Sequence, residues 1–265
     1  MIVIGELINS SRKNIKQAVE NKDVEYIQEI AKKQEAAGAN YIDVNAGTRV
    51  HDEIEVLSWL VKIVQEVVSV PLCIDSPNPL AIDAALKLHK GQALVNSITA
   101  EKDRYDQLLP IILDNNARIV ALCMDETGMP ETAQQRIDVA NRLADGLLGA
   151  GIKPEDIFFD PLVKPLSVDV NFGNEVLDTI ETLRKQYPDI NITSGLSNIS
   201  FGLPNRSDIN QAFLVMCMTK GMNSAIIDPL DERMMSLLVS AETALGKDKF
   251  CMKYLKYQRA INNTH

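Results

Sequence analysis

The chain has 265 residues, 46% of them apolar, which suits one α/β barrel or two smaller domains and argues against disorder. Its 27 basic and 36 acidic residues leave a net charge of −9, which argues against nucleic acid or an anionic membrane as the main partner. No apolar stretch approaches a membrane span, and Met1 leads into a strand-like run without a charged n-region, so a cytoplasmic protein is expected.

In chain order, short apolar runs alternate with helical periodicity. Met1-Ile2-Val3-Ile4-Gly5 stops at Glu6, with Asn9 just beyond, and a helix is predicted over 24–36 between Asp23 and Gly38. Tyr41-Ile42-Asp43-Val44 stops at Asn45. Leu57, Leu60, Val61, Val64, Val67 and Val68 then fall on one helical face, after a cap at Asp52. Pro71-Leu72-Cys73-Ile74 stops at Asp75 before a helix over 79–89, and Ala93-Leu94-Val95 stops at Asn96 before one over 104–115. Ile119-Val120-Ala121-Leu122-Cys123-Met124 stops at Asp125, and the spacing of Ile137, Ala140, Ala144 and Leu147 predicts a helix over 131–148. Ile157-Phe158-Phe159 stops at Asp160, and the run 190–196 stops at Ser197-Asn198, each followed by a predicted helix, over 173–186 and 207–220. Ser224-Ala225-Ile226-Ile227 stops at Asp228 before a last unit helix over 231–245.

Buried parallel strands read as continuous apolar runs, and crossovers of this length force parallel pairing. Eight units close a barrel, so one domain over 1–265 is expected, a single (β/α)8 TIM barrel. A doubly wound sheet normally carries a glycine-rich phosphate turn after its first strand, and Gly5-Glu6-Leu7-Ile8-Asn9-Ser10 is not one. Residues 247–265 interleave Lys247, Lys249, Lys253, Lys256 and Arg259 with Phe250, Tyr254, Leu255 and Tyr257. They are expected to form a C-terminal helix that covers the barrel or joins two copies.

Barrel chemistry gathers at the C-terminal ends of the strands. Glu6, Asn9, Asp43, Asn45, Asp75, Asn96, Asp125, Asp160, Asn198 and Asp228 therefore meet at one mouth, with Arg206 and Lys164 nearby. Such a group can hold a divalent cation, or grip a heterocycle with several N–H donors. The amides favour the heterocycle, because asparagine offers a donor and an acceptor together. Asp43 and Asp228 are the positions most readily explained as helix caps. No Cys pair has CxxC spacing, and His51, His89 and His265 do not cluster with Cys73, Cys123, Cys217 or Cys251, so no metal site is expected.

Four motifs occur in register on successive strands: Cys73-Ile74-Asp75-Ser76, Val95-Asn96-Ser97 with Glu101, Phe159-Asp160-Pro161-Leu162, and Gly195-Leu196-Ser197-Asn198-Ile199-Ser200 with Asn205-Arg206. With these the chain resembles the pterin-binding barrel of methyltetrahydrofolate:corrinoid-protein methyltransferases, which is similar to the folate domain of cobalamin-dependent methionine synthase. The resemblance implies methyl transfer between N5 of methyltetrahydrofolate and the cobalt(I) of a corrinoid (cobalamin) carried by a partner protein, in either direction. It implies that Asp75, Asn96 and Asp160 hold the pterin, that Gly195 and Ser197 shape a loop, and that Asn198 is the catalytic group beside N5. Glu6, Asn9, Asp43, Asp125 and Arg206 are possible lining residues. Lys164 and Arg12-Lys13 are candidates for the folate's anionic tail, and a homodimer is expected. The alternatives are a dihydropteroate synthase-like enzyme and a non-catalytic folate-binding subunit of a methyl-transfer complex.

Overall fold

The computed structural model describes residues 1–262. Its strands are β1 (Ile2–Asn9), β2 (Tyr41–Asn45), β3 (Leu72–Asp75), β4 (Leu94–Ile98), β5 (Arg118–Leu122), β6 (Ile157–Asp160), β7 (Asn191–Ile192) and β8 (Ser224–Ile227). The helices are α1 (Lys13–Glu20), α2 (Val24–Ala36), α3 (Glu53–Gln65), α4 (Pro79–Leu86), α5 (Lys102–Asp114), α6 (Ala133–Gly149), α7 (Phe172–Gln186), α8 (Arg206–Lys220), α9 (Glu232–Ala244) and α10 (Met252–Asn262). Every ladder is parallel, in the order β7-β6-β5-β4-β3-β2-β1-β8.

The two edges meet. Ile226 N donates to Ser194 O at 3.0 Å, Asn223 N donates to Ile192 O at 3.3 Å, and Gly195 bridges Ile226 in parallel. Beside them the Asn223 side chain fastens the seam. Its Oδ1 accepts from Ile192 N at 2.8 Å, and its Nδ2 donates to Asn191 Oδ1 at 2.9 Å. The expected barrel is therefore what the chain forms, with each unit helix on the outside.

Successive strand residues face opposite sides, so each strand serves two cores. Val3, Ile42, Val44, Leu72, Ile74, Val95, Ile119 and Phe159 pack outward against the helices in the larger core. Ile4, Tyr41, Cys73, Leu94, Val120 and Phe158 fill the barrel interior, where the rings of Tyr41 and Phe158 meet edge to face at 6.3 Å. Fully burying a side chain of this size contributes about 1.5–3 kcal/mol. Because the period is two, the residue two places after an interior plug also points inward, one layer higher. That rule lifts Glu6 above Ile4, Asp43 above Tyr41, Asp75 above Cys73, Asn96 above Leu94 and Asp160 above Phe158. A plugged floor under polar groups defines the mouth.

Several expectations are corrected. Helix α1 lies between β1 and the predicted first helix, and the run 190–196 yields only the short β7 followed by a 3-10 turn, Leu196–Ser200. The apolar run to Met124 leaves the sheet at Leu122. Met124 N folds back onto Leu122 O at 2.7 Å, a tight turn that carries Asp125 past the strand end. Asp52 precedes α3 as expected but makes no capping bond, because its carboxylate is paired with Arg49 at 2.5 Å. Helix α10 accounts for most of the predicted C-terminal segment, while residues 263–265, His265 included, lie outside the described residues.

Candidate active site

Strands β2, β3 and β4 place Asn45, Asp75 and Asn96 in one register row across the mouth. Asn45 Nδ2 donates to Asp75 Oδ2 at 2.8 Å, while its Oδ1 accepts from Gly47 N at 2.9 Å. Burial pushes the Asp75 carboxyl up to about 6, against the relief offered by Asn45 and the nearby Arg104. Asn96 is half-buried beside it, and its carbonyl accepts from Ser76 N at 3.2 Å.

One layer down sits Asp43, only 2% exposed, with Oδ1 lacking any partner. Burial first, and then the neighbouring Asp75 charge, drive its carboxyl well above the ordinary range, with only partial relief from Cys73 and Asn96. Asp43 is thus not a helix cap. It is an inward-facing group of β2, buried beneath the Asp75–Asn96 pair. Asp228, the other position read as a cap, does serve the local backbone, where its Oδ1 accepts from Leu230 N at 2.8 Å.

Across the mouth, β6 presents Asp160. Burial pushes this carboxyl to about 6 as well, opposed by N–H groups from Leu162, at 2.8 Å, and from Gly195. Leu162 has a left-handed backbone at φ 58°, which its surroundings must hold in place. The wholly buried Arg136 of α6 does so, donating to Pro161 O at 2.8 Å and Leu162 O at 3.3 Å. Gly195 ties this strand to the next loop. Its N–H reaches Asp160, and a Cβ placed on it would stand 3.4 Å from Asn198 Nδ2. Asn198 is exposed at the mouth on its 3-10 turn. Arg206 braces that turn from α8, with Nη2 donating to Ser197 O at 2.7 Å and Nε to Ser200 Oγ at 3.0 Å.

Glu6, Ser197 and Asp228 line a neighbouring cavity of about 60 Å³ with Leu196, Asn210 and Asp231. Burial raises the Glu6 carboxyl, while Arg12, 2.8 Å away, opposes the rise. Asn9 and Asp125 are not brought to the grip. Asn9 accepts from Ser11 N at 2.9 Å in a local turn, and Asp125 is held by Thr127 N at 2.9 Å and by Arg142. Of the tail candidates, Lys13 is exposed and has no side-chain partner among the described residues, while the other two are occupied. Arg12 pairs with Glu6, and Lys164 lies 3.7 Å from Glu131 and 4.3 Å from the Phe172 ring centre.

Asn45 was placed at the mouth but given no role, and Arg104 and Arg136 were not singled out. Asn45 carries a legible signal, being two residues beyond Asp43 on the same strand face. Arg136 also carries one, since it stands four residues before Ala140 on the buried stripe of α6. Arg104 carries none.

An acceptor-rich mouth above a sealed floor, with amides among the carboxylates, suits a flat ring edged with donors and acceptors. Residues 5–228 match the family described as pterin binding enzyme. The chain belongs to that family. Within the pterin-binding enzymes it is 42% identical over 262 residues to the methylcorrinoid:tetrahydrofolate methyltransferase of Eubacterium limosum, covering 97% of this chain and 95% of that one. It is 30% identical over 240 residues to the methionine synthase of Mycobacterium tuberculosis, covering 86% of this chain but 20% of that protein. Among solved structures, the 7,8-dihydropteroate synthase of Vibrio fischeri ES114 superposes with a TM-score of 0.71 at 17% identity, covering 94% of each chain. The dihydropteroate synthase of Yersinia pestis gives 0.66 at 17% identity, covering 92% of this chain and 93% of that one. At that identity the two structures speak for the barrel alone.

Proposed function

We propose that this pterin-binding enzyme transfers a methyl group between N5 of 5-methyltetrahydrofolate and the cobalt of a corrinoid carried by a separate protein. The observation that carries the reading is the near-full-length identity to the Eubacterium limosum methylcorrinoid:tetrahydrofolate methyltransferase, joined to an open mouth lined as a pterin grip. Asp75 and Asp160 accept from the amino and ring N–H groups of the pterin, and Asn96 meets a mixed donor and acceptor edge. The floor of Ile4, Tyr41, Cys73, Leu94, Val120 and Phe158 stops the ring from sinking, so its other face stays toward solvent.

Cobalt(I) in the partner corrinoid supplies the nucleophile that takes the methyl group, and the reverse step returns it to N5. The barrel's own task is orientation and charge. N5 leaves as a poor anion unless it gains a proton or a strong hydrogen bond. The Asn198 amide does not titrate; it donates a hydrogen bond to N5 that strengthens as negative charge develops there, and solvent at the open mouth supplies the proton that replaces the methyl group and takes it back in the reverse direction. The Gly195 N–H reaches Asp160 and its carbonyl accepts from Asn198 N at 3.3 Å, which ties the pterin grip to the turn that carries the donor. The same groups serve both directions of transfer.

The rim fits a macromolecular partner. Val50, Leu80, Met129, Val168, Val170 and Phe201 are exposed, and all lie in the segments that follow strands, around the mouth. A pyrophosphate-releasing pterin enzyme needs free cations there. Arg12, Arg104, Arg142, Lys164 and Arg206 are each engaged by a carboxylate, a carbonyl, a hydroxyl or a ring. A homodimer and a cytoplasmic location complete the reading, and light scattering tests the first. Among the described residues no helix is long and apolar enough to cross a membrane.

The test is spectrophotometric. Mixed with 5-methyltetrahydrofolate and reduced cobalamin, the protein is expected to convert the cobalt(I) spectrum to that of methylcobalt. A rate no higher than that of the protein-free mixture sinks the proposal.

A further inference from the structure

Asp75 and Asn96 stand side by side, but β3 ends at Asp75, and the register of β4 on β5 shifts between Asn96 and Ile98. A grip made of two groups at such irregular strand ends reads a ring only if the segments that follow them keep a fixed spacing. Arg104, in the first turn of α5, reaches both segments at once. Its Nη2 donates to Ser76 O at 2.9 Å and to Ser97 O at 2.8 Å, its Nε donates to Ser97 O at 3.1 Å, and its Nη1 donates to Pro77 O. Ser76 and Ser97 are the residues that directly follow Asp75 and Asn96. The same segments are cross-linked by Ser76 N donating to Asn96 O at 3.2 Å, and are anchored to α3 by Ser76 Oγ donating to Glu53 at 2.7 Å.

We propose that Arg104 is a positioning residue that joins the segments directly after Asp75 and Asn96 into one pterin-reading unit, and so sets folate affinity without taking part in methyl transfer. The proposal rests on the pterin reading of the mouth. A guanidinium is the group suited to this task, because its donors lie in one plane at fixed angles and can serve three carbonyls together. A lysine ammonium keeps the charge and loses the fork. The donor assigned to N5, Asn198, sits after β7, on the far side of the barrel from β3 and β4. Loosening the brace therefore alters recognition of the ring and leaves the transfer geometry of bound folate intact.

The test uses Arg104→Lys and Arg104→Met in the full-length protein. Binding of 5-methyltetrahydrofolate, and of a tetrahydropterin without the aminobenzoyl-glutamate tail, is measured by calorimetry beside the turnover rate at saturating folate and the melting temperature. Both variants are expected to bind both ligands about tenfold or more weakly, and by equal factors, as for lost hydrogen bonds to a charged group. Turnover at saturation is expected to stay within about twofold, because uniform binding alone is removed. Should Arg104→Met fail to fold, Arg104→Lys carries the comparison. A lysine variant that binds like wild type overturns the proposal. So does turnover at saturation that falls in step with affinity, or a loss confined to the tailed ligand. Wild-type protein that binds neither ligand removes the pterin reading, and the brace with it. Wild-type binding with unaltered variants removes the brace alone.

Discussion

Asp75 and Asp160 are carboxyls whose burial raises them to about 6, and each is useful to a pterin only as an acceptor. A carboxyl raised in the folded state holds more protons folded than unfolded between its two pKa values. Stability therefore falls as the pH climbs from about 4 to about 6, and the loss is complete at neutral pH. Asp75→Asn removes that penalty, and an amide oxygen still accepts from Asn45. The variant is expected to be more stable than wild type at pH 7, by an order-of-magnitude 1–3 kcal/mol, with the gain vanishing below about pH 4. It is also expected to bind folate more weakly, since one acceptor is lost. Chemical denaturation at both pH values and a folate titration check the pair; equal stability at pH 7 would count against the burial penalty. At this scale the sequence was legible where a residue ends a strand. Asp75, Asn96, Asp160 and Asn198 all reach the mouth. It was not legible where tertiary contacts decide. Asp43 reads both as a cap and as a lining residue, and the strand period that lifts it above Tyr41 decides for the interior, whereas Asp125 reads as a site residue because nothing local announces the turn at Leu122.

Helices and strands differ in how plainly their ends are written. Helix α8 runs to Gly221, which closes it in the left-handed region at φ 110°, and a Cβ there would stand 2.7 Å from Arg184 Cγ. Gly221→Ala combines backbone strain with that collision. It is expected to destabilise the protein by about 1–3 kcal/mol, read as a lowered denaturant midpoint at unchanged slope. A midpoint within error of wild type contradicts this account of the helix end. Helix α1 shows the opposite case. Its buried Ile15, Ala18 and Val19 do follow helical i, i+3, i+4 spacing, but over only eight residues, and its N-cap Arg12 makes no side-chain capping bond, so no start signal marks it. The run 190–196 is apolar enough for a strand. Gly195 instead turns the chain into the Asn198 loop, and the regular strand shrinks to Asn191–Ile192. Where function claims the backbone, local pattern misleads.

For the whole molecule, the number of units and their order were legible, because each unit repeats the same apolar run and amphipathic helix. How the ring closes was not, since its weakest seam depends on side chains far apart in the chain. Asn223 Oδ1 accepts from Ile192 N and from Arg184 Nη2, at 2.8 and 3.0 Å. Asn223→Ala leaves the half-buried seam short of partners and is expected to cost about 1–3 kcal/mol. Hydrogen exchange is expected to rise first at β7 and β8, next to the Asn198 loop, and exchange that rises evenly over the barrel would contradict a local seam.

The central claim is that this mouth passes a methyl group between folate and a corrinoid, with Asn198 assisting at N5. It is tested most directly by following methyl-labelled 5-methyltetrahydrofolate in a single turnover against a cobalt(I) corrinoid, with wild type and Asn198→Ala at saturating folate. The label is expected to move to cobalt with wild type. Asn198→Ala is expected to be about 10²–10³-fold slower while still binding folate, the usual effect of losing one transition-state donor. Label that stays on folate although wild type binds it, or transfer by Asn198→Ala at the wild-type rate, contradicts the account.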